Sequence, residues 1–361
     1  GGPQACADEI GSVLVASLTV TKLRWLRDAE PDAAARVHRV LLPHDYVSLH
    51  AAAPGTTPFT DRGDASGTGY FDAAADGGAG AWRHDLLAAA LGHDAELPRV
   101  VAPGAVAART PSGAVIAAGT GDNMGAALGM GLEPGDVLLS VGTSGVASAV
   151  GTVPVRDGSG TVTGFADAAG GYLPMVTTMN AAGILDLQAR WLGVDHDELA
   201  RLALEAAPGA SGVTLLPYYG GERTPNRPTA QGTWHGLTPA TTRADLARAA
   251  FESLLCSLGE AMDLLVAATG APPRRVLMVG GATRSPALRA LAPAVLGRPV
   301  AFPPPGEYVA LGAARQAAWA LAGTDAPPSW PLPGLETVEA EPTPGVRAAY
   351  AALRERTASW T

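Results

Sequence analysis

Asp122 differs from the other acidic residues of this 361-residue chain because it lies inside a glycine turn, Gly119-Thr-Gly-Asp-Asn123. The turn follows an apolar run that predicts a buried strand over 114–118, and α/β folds place ligands at the ends of such strands. A carboxylate there could take a proton from a substrate hydroxyl. On local sequence alone a second interpretation is equally good, in which Asp122 caps a small-residue helix predicted over 124–130.

Two further glycine turns follow apolar strands and could hold phosphate. They are Gly142-Thr-Ser-Gly145, in a predicted hairpin, and Gly280-Gly281. Backbone N–H groups in such turns, and at the N-terminus of the helix predicted from Pro286, are suited to phosphate oxygens. Thr143 would add a hydroxyl toward the outer phosphates. Each turn alone is also compatible with an ordinary hairpin or a tight strand-to-helix connection.

Taken together, these groups match what phosphoryl transfer to a hydroxyl requires, namely a carboxylate, donors around the phosphate and a bound Mg²⁺ that offsets charge. Other nucleotide and hydrolase motifs are absent. Lys22 is the only lysine, so no P-loop exists. Three residues separate Gly121 from Gly125, which disfavours a Rossmann fingerprint. The GTSGV run is not the GxSxG of a serine hydrolase.

Composition narrows the class of protein further. The net charge of −9 argues against nucleic acid as a partner. The sequence contains neither an apolar run long enough for a membrane span nor a signal peptide, so a cytoplasmic location is the expectation. Cys6 and Cys256 give no disulfide framework. The seven histidines show no paired ligand spacing, and no metal-ligating residue is predicted.

The alternation of short apolar strands with helices predicts an α/β fold. The longest predicted helix covers 245–269, and another starts with Ser285 as N-cap and Pro286 as its first residue. The segment 51–85 is rich in Gly, Asp, Thr and Ala. It predicts a long surface excursion in which Asp61, Asp64 and Ser66 form Asx-type turns.

The motifs, in this order, resemble the FGGY family of carbohydrate kinases, and within it the xylulokinases. The resemblance covers most of the chain and rests on KLRWLRDAEPDAAARVHRVLLPHDYV (22–47), TDRGDASGTGYFD (60–72), GTGDNMGAALG (119–129), LSVGTSGV (139–146), LPYYGGERTPNRPTAQGTWHGLT (216–238), DLARAAFE (245–252) and VGGATRSP (279–286).

This resemblance implies a two-domain ASKHA fold of the actin, hexokinase and Hsp70 type, with an incomplete first domain. Residues 1–134 would be the C-terminal portion of the sugar-binding domain, and 135–361 the ATP-binding domain. Asp122 would be the catalytic base and Asn123 would lie close to the sugar. The implied ATP-binding residues are Gly142, Thr143 and Ser144 on the β- and γ-phosphates, Gly280, Gly281 and Arg284 on the α-phosphate and adenosine side, and Asn180 and Gly183 at the border. Glu222 and Arg223 are expected to form a structural ion pair.

The implied substrates are D-xylulose and ATP, with Mg²⁺, and a homodimer is kept open as the assembly. The family pattern begins with a phosphate- and metal-binding hairpin and a sugar-recognition segment, and neither is found in this chain. Two alternatives therefore remain. One is a kinase for another sugar or polyol, such as ribulose, gluconate or glycerol. The other is a truncated ATP-binding relic without catalytic activity.

Overall fold

A computed structural model describes residues 2–360 and divides the chain into two compact units. The first unit comprises Gly1–Pro134, Val150–Pro174 and Gly306–Leu332. The second comprises Gly135–Ala149, Met175–Pro305 and Pro333–Thr361. Neither unit is continuous in sequence, because the chain passes between them several times. The sequence prediction of two continuous domains meeting after residue 134 stays a prediction.

The first unit is mainly helical, with short strands. Its helices are Pro3–Ile10, Thr19–Ala29, Pro31–Ala34, Pro43–Ala51, Arg62–Ser66, His84–Leu91, Asp122–Gly129 and Tyr308–Ala322, with a 3₁₀ turn at Asp76–Gly78. Its strands are Phe59–Thr60, Phe71–Asp72, Ala81–Trp82, Arg99–Val100, Val106–Arg109, Val115–Ala117 and Thr163–Ala166. The strand Tyr172–Thr178 begins in this unit and ends in the second.

The second unit is built on a mixed sheet with helices. Its helices are Ala182–Leu192, His196–Glu205, Arg243–Thr269, Pro286–Leu296 and Pro344–Arg356, with 3₁₀ turns at Ala210–Gly212 and Gly281–Arg284. In the part of the sheet that belongs to this unit the strand order is Glu336–Val338, Val300–Phe302, Arg275–Val279, Asp136–Val141, Gly145–Ala149 and the end of Tyr172–Thr178. A separate pair joins Thr214–Leu216 to Thr233–His235.

Two neighbouring strands of this sheet position the glycine turns. Asp136–Val141 and Arg275–Val279 run parallel, and Ser140 lies opposite Val279 in the register. Since parallel strands end at the same edge of a sheet, the turns that follow them meet at that edge. The antiparallel partner of the first strand, Gly145–Ala149, completes the predicted hairpin.

The predicted α/β class is confirmed, and several element boundaries agree with the sequence prediction. The long helix runs from Arg243 to Thr269. Its start is fixed by a capping box, in which Thr242 and Asp245 exchange side-chain and backbone hydrogen bonds. Pro286 is the first residue of its helix, and Gly297 follows the end in the left-handed region. Within residues 2–360, no helix combines the length and apolar character needed to cross a membrane.

The surface excursion expected over 51–85 is wrong for its central part. Thr60, Asp61, Arg62 and Ser66 are all buried. Asp61 caps the helix Arg62–Ser66 by accepting a hydrogen bond from the Asp64 backbone N–H. The polar composition was therefore a poor guide to exposure, because Asp61 and Ser66 bond local backbone groups and Asp61 also faces the ring of His44 inside the unit.

In the first unit, the helices Asp122–Gly129 and Tyr308–Ala322 cross at glycines. An added Cβ at Gly312 would overlap the backbone of Gly125, and one at Gly129 would overlap the backbone at Tyr308. The helix that carries Asp122 is thus held by a backbone-to-backbone contact that only glycine permits.

We expect Gly312→Ala to lower the free energy of unfolding by about 3 kcal/mol, because the methyl group can fit only if the two helices move apart. Differential scanning calorimetry of the purified variant measures the effect. Gly345→Ala is the matched control, since its added methyl group meets nothing within 4 Å and lies in a helix. Equal melting temperatures for the two variants would show that the crossing is not tightly packed.

Candidate active site

A pocket of about 430 Å³ opens in the second unit where the two parallel strands end. It is lined by Val141, Gly142, Thr143, Ala182, Leu185, Asp186, His196, Asp197, Phe251, Gly281, Ala282, Arg284 and Ser285. Four of the predicted ATP-binding residues are in this lining. The first turn of the helix Pro286–Leu296 follows directly after it, so backbone N–H groups at a helix N-terminus are close to the pocket.

The hairpin turn is fastened to the start of the next helix. Ala181 and Ala182 donate backbone hydrogen bonds to the carbonyls of Thr143 and Gly142, at 3.1 and 2.8 Å. Gly183 lies beside Thr143, whose Cγ2 would be 3.7 Å from an added Cβ. The structure therefore brings Gly142, Thr143 and Gly183 together, although Gly183 is about forty residues away in the chain.

Gly280 is not part of the pocket lining, but it packs against Val141, which is. Its φ of +110° and ψ of 168° define a conformation that only glycine adopts readily. An ideal Cβ at this position would overlap the carbonyl of Val141. The second glycine turn is thus pressed against the end of the neighbouring strand, which places Gly281 at the pocket edge.

Two further predicted ATP-binding residues, Ser144 and Asn180, are outside the pocket lining, as are Gly183 and Gly280. Ser144 is exposed at the tip of the hairpin turn. Asn180 donates its side-chain N–H groups to the Gly221 carbonyl and to Glu222 Oε2, both at 2.9 Å. The amide of Asn180 therefore supports a loop, and its assignment to the nucleotide stays a prediction.

The expected ion pair between Glu222 and Arg223 is wrong for the residues described. Arg223 is exposed, and it is its backbone N–H that donates to Glu222 Oε1, at 2.8 Å. The same carboxylate accepts the Met179 backbone N–H and the Asn180 amide. Glu222 is 1% exposed, so these donors replace water around a buried charge.

In the first unit, Asp122 is the first residue of its helix and is exposed to solvent. Its Oδ1 accepts hydrogen bonds from the Asn123 backbone N–H, at 2.7 Å, and from Asn123 Nδ2, at 2.9 Å. The residue at the capping position is Gly121, which makes no side-chain bond. The interpretation of Asp122 as the cap of this helix is therefore wrong, because the capping residue is Gly121. Asn123 orients one carboxylate oxygen, and Oδ2 has no partner within residues 2–360.

A charged cluster lies next to this turn and was not predicted from the sequence. His44 Nε2 lies 3.0 Å from Asp45 Oδ1 and 3.2 Å from Asp61 Oδ1, while Nδ1 lies 3.0 Å from Asp64 Oδ2. Burial alone would lower the pKa of His44, but the three carboxylates outweigh it and raise the pKa to about 12. Burial raises the pKa of Asp61 against the opposing effect of His44.

This cluster has the composition of an ion-paired network. The ligand atoms of His44, Asp61 and Asp64 lie within 4.8 Å of one another, a spacing that could suit a metal ion. Both nitrogens of His44 lie at ion-pair distances from carboxylates, and the raised pKa favours the protonated ring. The protonated ring of His44 thus partly neutralises the negative charge of the carboxylates.

Comparison with known proteins places the chain in a family. The model for the C-terminal domain of FGGY carbohydrate kinases matches residues 137–321, and the model for the N-terminal domain matches residues 1–129. The chain belongs to the FGGY family of carbohydrate kinases. The resemblance predicted from the motifs is confirmed, and these two matches cover most of the chain.

Individual relatives agree with this assignment. A xylulose kinase of Streptomyces coelicolor is 44% identical over 334 residues, 90% of this chain and 66% of the relative. A xylulose kinase of Streptomyces rubiginosus is 42% identical over 333 residues, with the same coverage of both chains. This chain therefore spans about two thirds of the length of these curated relatives.

Solved structures confirm the predicted fold class. The crystal structure of xylulose kinase from Bifidobacterium adolescentis superimposes with a TM-score of 0.89 at 43% identity, covering 98% of this chain and 75% of that one. The fold of this FGGY chain is the two-domain ASKHA type. The pocket of the second unit lies within the matched C-terminal domain, and Asp122 lies within the matched N-terminal domain.

Proposed function

We propose that the protein transfers the γ-phosphoryl group of ATP to O5 of D-xylulose, giving D-xylulose 5-phosphate and ADP. The observation that carries this proposal is the 44% identity to a xylulose kinase across 90% of the chain. The pocket between two glycine turns and a helix N-terminus supports the nucleotide part, since such backbone N–H groups favour phosphate. Substrate, reaction and residue roles are parts of the same proposal.

In the second unit, ATP would occupy the pocket of about 430 Å³. The backbone of Gly142 and the Thr143 hydroxyl would face the β- and γ-phosphates. Gly281 and Arg284 would face the α-phosphate and the adenosine. The pocket fits this ligand because it combines apolar walls with polar groups, as small-molecule sites do.

In the first unit, Asp122 would accept the proton of the sugar O5 hydroxyl as that oxygen attacks the γ-phosphorus. The new bond joins O5 to phosphorus, the bond to the β-phosphate oxygen breaks, and ADP leaves. Asn123 holds Oδ1 of the base with two hydrogen bonds, which leaves Oδ2 to take the proton. Mg²⁺ bound to the phosphates would offset their charge, and no residue of the chain is assigned to it.

A coupled ADP-release assay of the complete polypeptide tests this function. We expect ADP release that depends on D-xylulose, with kcat/KM at least about tenfold above that for ribulose, gluconate or glycerol, since a site built for one set of hydroxyls rejects analogues that leave its groups unpaired. The product is identified by ³¹P NMR. Faster turnover of another sugar would assign the protein to a different FGGY substrate. ATP binding without sugar-dependent turnover would favour a truncated ATP-binding protein without catalytic activity.

The homodimer and the cytoplasmic location stay predictions.

A further inference from the structure

His44 connects three segments that are far apart in the sequence. It is the second residue of the helix Pro43–Ala51, and Asp45 of the same helix accepts the Leu42 backbone N–H at 2.8 Å. Asp61 and Asp64 come from the capped helix Arg62–Ser66. The ring is therefore the cation that ties these two helix starts together.

The third segment is the glycine turn that precedes Asp122. The Oδ1 atom of Asp64 would lie 2.7 Å from a Cβ at Gly121, while its Oδ2 faces the His44 ring. The Cδ2 atom of the same ring would lie 3.5 Å from a Cβ at Gly119. The Asp64 carboxylate is thus packed directly against Gly121, which is bonded to Asp122, and the His44 ring leaves room for no more than a methyl group at Gly119.

The network contains one cation for three carboxylates. Asp45 and Asp61 are almost fully buried, with side chains 1% and 5% exposed, whereas Asp64 is 32% exposed. Arg62, which follows Asp61 in the chain, donates to the carbonyls of Ala73 and Gly171. Of the remaining titratable groups, Tyr70 faces the cluster from the side of Asp45, and its pKa is raised by burial and by that carboxylate. Without His44 the carboxylates would repel one another.

We propose that His44 is a positioning residue for the reaction: it holds the Asp64 carboxylate against Gly121 and so fixes the turn from which Asp122 reaches the sugar. This role of His44 rests on the proposed function, because that function makes Asp122 the reacting group. His44 itself touches neither the reacting atoms nor Asp122, so it acts through the backbone. Replacing it should affect the chemical step and leave nucleotide binding by the second unit unchanged.

Two variants separate the charge of His44 from its shape. His44→Gln keeps a hydrogen-bond donor and removes the charge. We expect its kcat to fall about 30-fold, since small misplacements of a reacting group are costly. His44→Lys restores a cation, and we expect kcat to return to within about fivefold of the wild type, with KM for ATP within about twofold in both variants. His84→Gln is the matched control, because His84 pairs with an exposed Asp94 at 2.7 Å in the same unit.

The pH profile gives a readout that general destabilisation would not move. In His44→Gln the clustered carboxylates have lost their cation, so protons bound at low pH can replace it and form hydrogen bonds among them. The ratio of variant to wild-type kcat should therefore be higher at about pH 6 than at about pH 8.5. The wild type lacks this dependence, since the pKa of His44 is raised to about 12 and the ring stays charged.

Hydrogen exchange tests the positioning without any activity. We expect the amides of 119–125 to exchange about tenfold faster in His44→Gln, to recover in His44→Lys, and to be unchanged at 136–141 in the second unit. If the wild type shows no sugar-dependent ADP release, the proposed function fails while this measurement still decides the role of His44. Should His44→Gln not fold, Asp64→Asn, at a half-exposed position, is used and should accelerate the same amides. Unchanged exchange at 119–125 overturns the proposal.

Discussion

Asp122→Asn lowers kcat for sugar-dependent ADP release by about 10³-fold, while the Kd for ATP stays within about twofold of the wild type. The amide has the size and shape of the carboxylate and can still accept the Asn123 hydrogen bonds at its oxygen. It cannot take a proton, so the attacking hydroxyl remains poorly nucleophilic. Since Asp122 is exposed and lies at a helix start, the melting temperature should change little.

Asp85→Asn is the matched control for this prediction. Asp85 is also an exposed aspartate in the first turn of a helix of the first unit, where it pairs with Arg83. Its replacement should leave kcat within about twofold, because exposed pairs contribute at most about 1 kcal/mol. Steady-state kinetics and isothermal titration calorimetry with ATP measure both variants. A kcat for Asp122→Asn within about tenfold of the wild type would assign the proton transfer to another group.

Gly280→Ala should remove ATP binding, raising Kd by at least about 100-fold, and should lower the melting temperature as well. The residue has a φ of +110°, and the added methyl group would overlap the Val141 carbonyl. The turn can accept it only by moving away from the neighbouring strand, which displaces the pocket edge. Titration with ATP and differential scanning calorimetry measure the two effects.

Gly281→Ala provides a comparison one residue away. Its φ is not positive, and the nearest atom to an added Cβ is an Arg284 side-chain nitrogen at 3.7 Å. We therefore expect a melting temperature within about 2 °C of the wild type, since surface changes without strain rarely cost more than about 0.5 kcal/mol. Because Gly281 lines the pocket, its Kd for ATP should rise moderately. Two variants with the same melting temperature would contradict the strained role given to Gly280.

The sequence alone was enough to predict the glycine turns and two of the helices, but it did not indicate the pocket that the turns share. The turns at Gly142 and Gly280 were recognisable because each follows a short apolar strand, a signal contained in about ten residues. The sequence also predicted the long helix and the helix from Pro286, through their caps and proline. That the two turns share one pocket depended on the parallel register of their strands, which no local pattern states.

The errors share a cause. The polar segment around Asp61 was expected at the surface because its composition suits turns, yet the Asp61 carboxylate is buried against His44. Glu222 was paired with the adjacent arginine, whereas it binds the backbone at Met179 and the amide of Asn180. In both cases the carboxylate also has a partner from a different part of the chain, which sequence adjacency could not indicate.

The family and the α/β class were determined by the sequence itself, because glycine turns, strand ends and helix starts are encoded by residues next to one another. The tertiary structure decided which of those features meet. It assembled the first unit from three separate segments, placed Gly183 beside Thr143, and brought His44 and Asp64 under the turn of Asp122. Such contacts depend on packing between distant segments, and their energies are set by burial and charge in the folded chain.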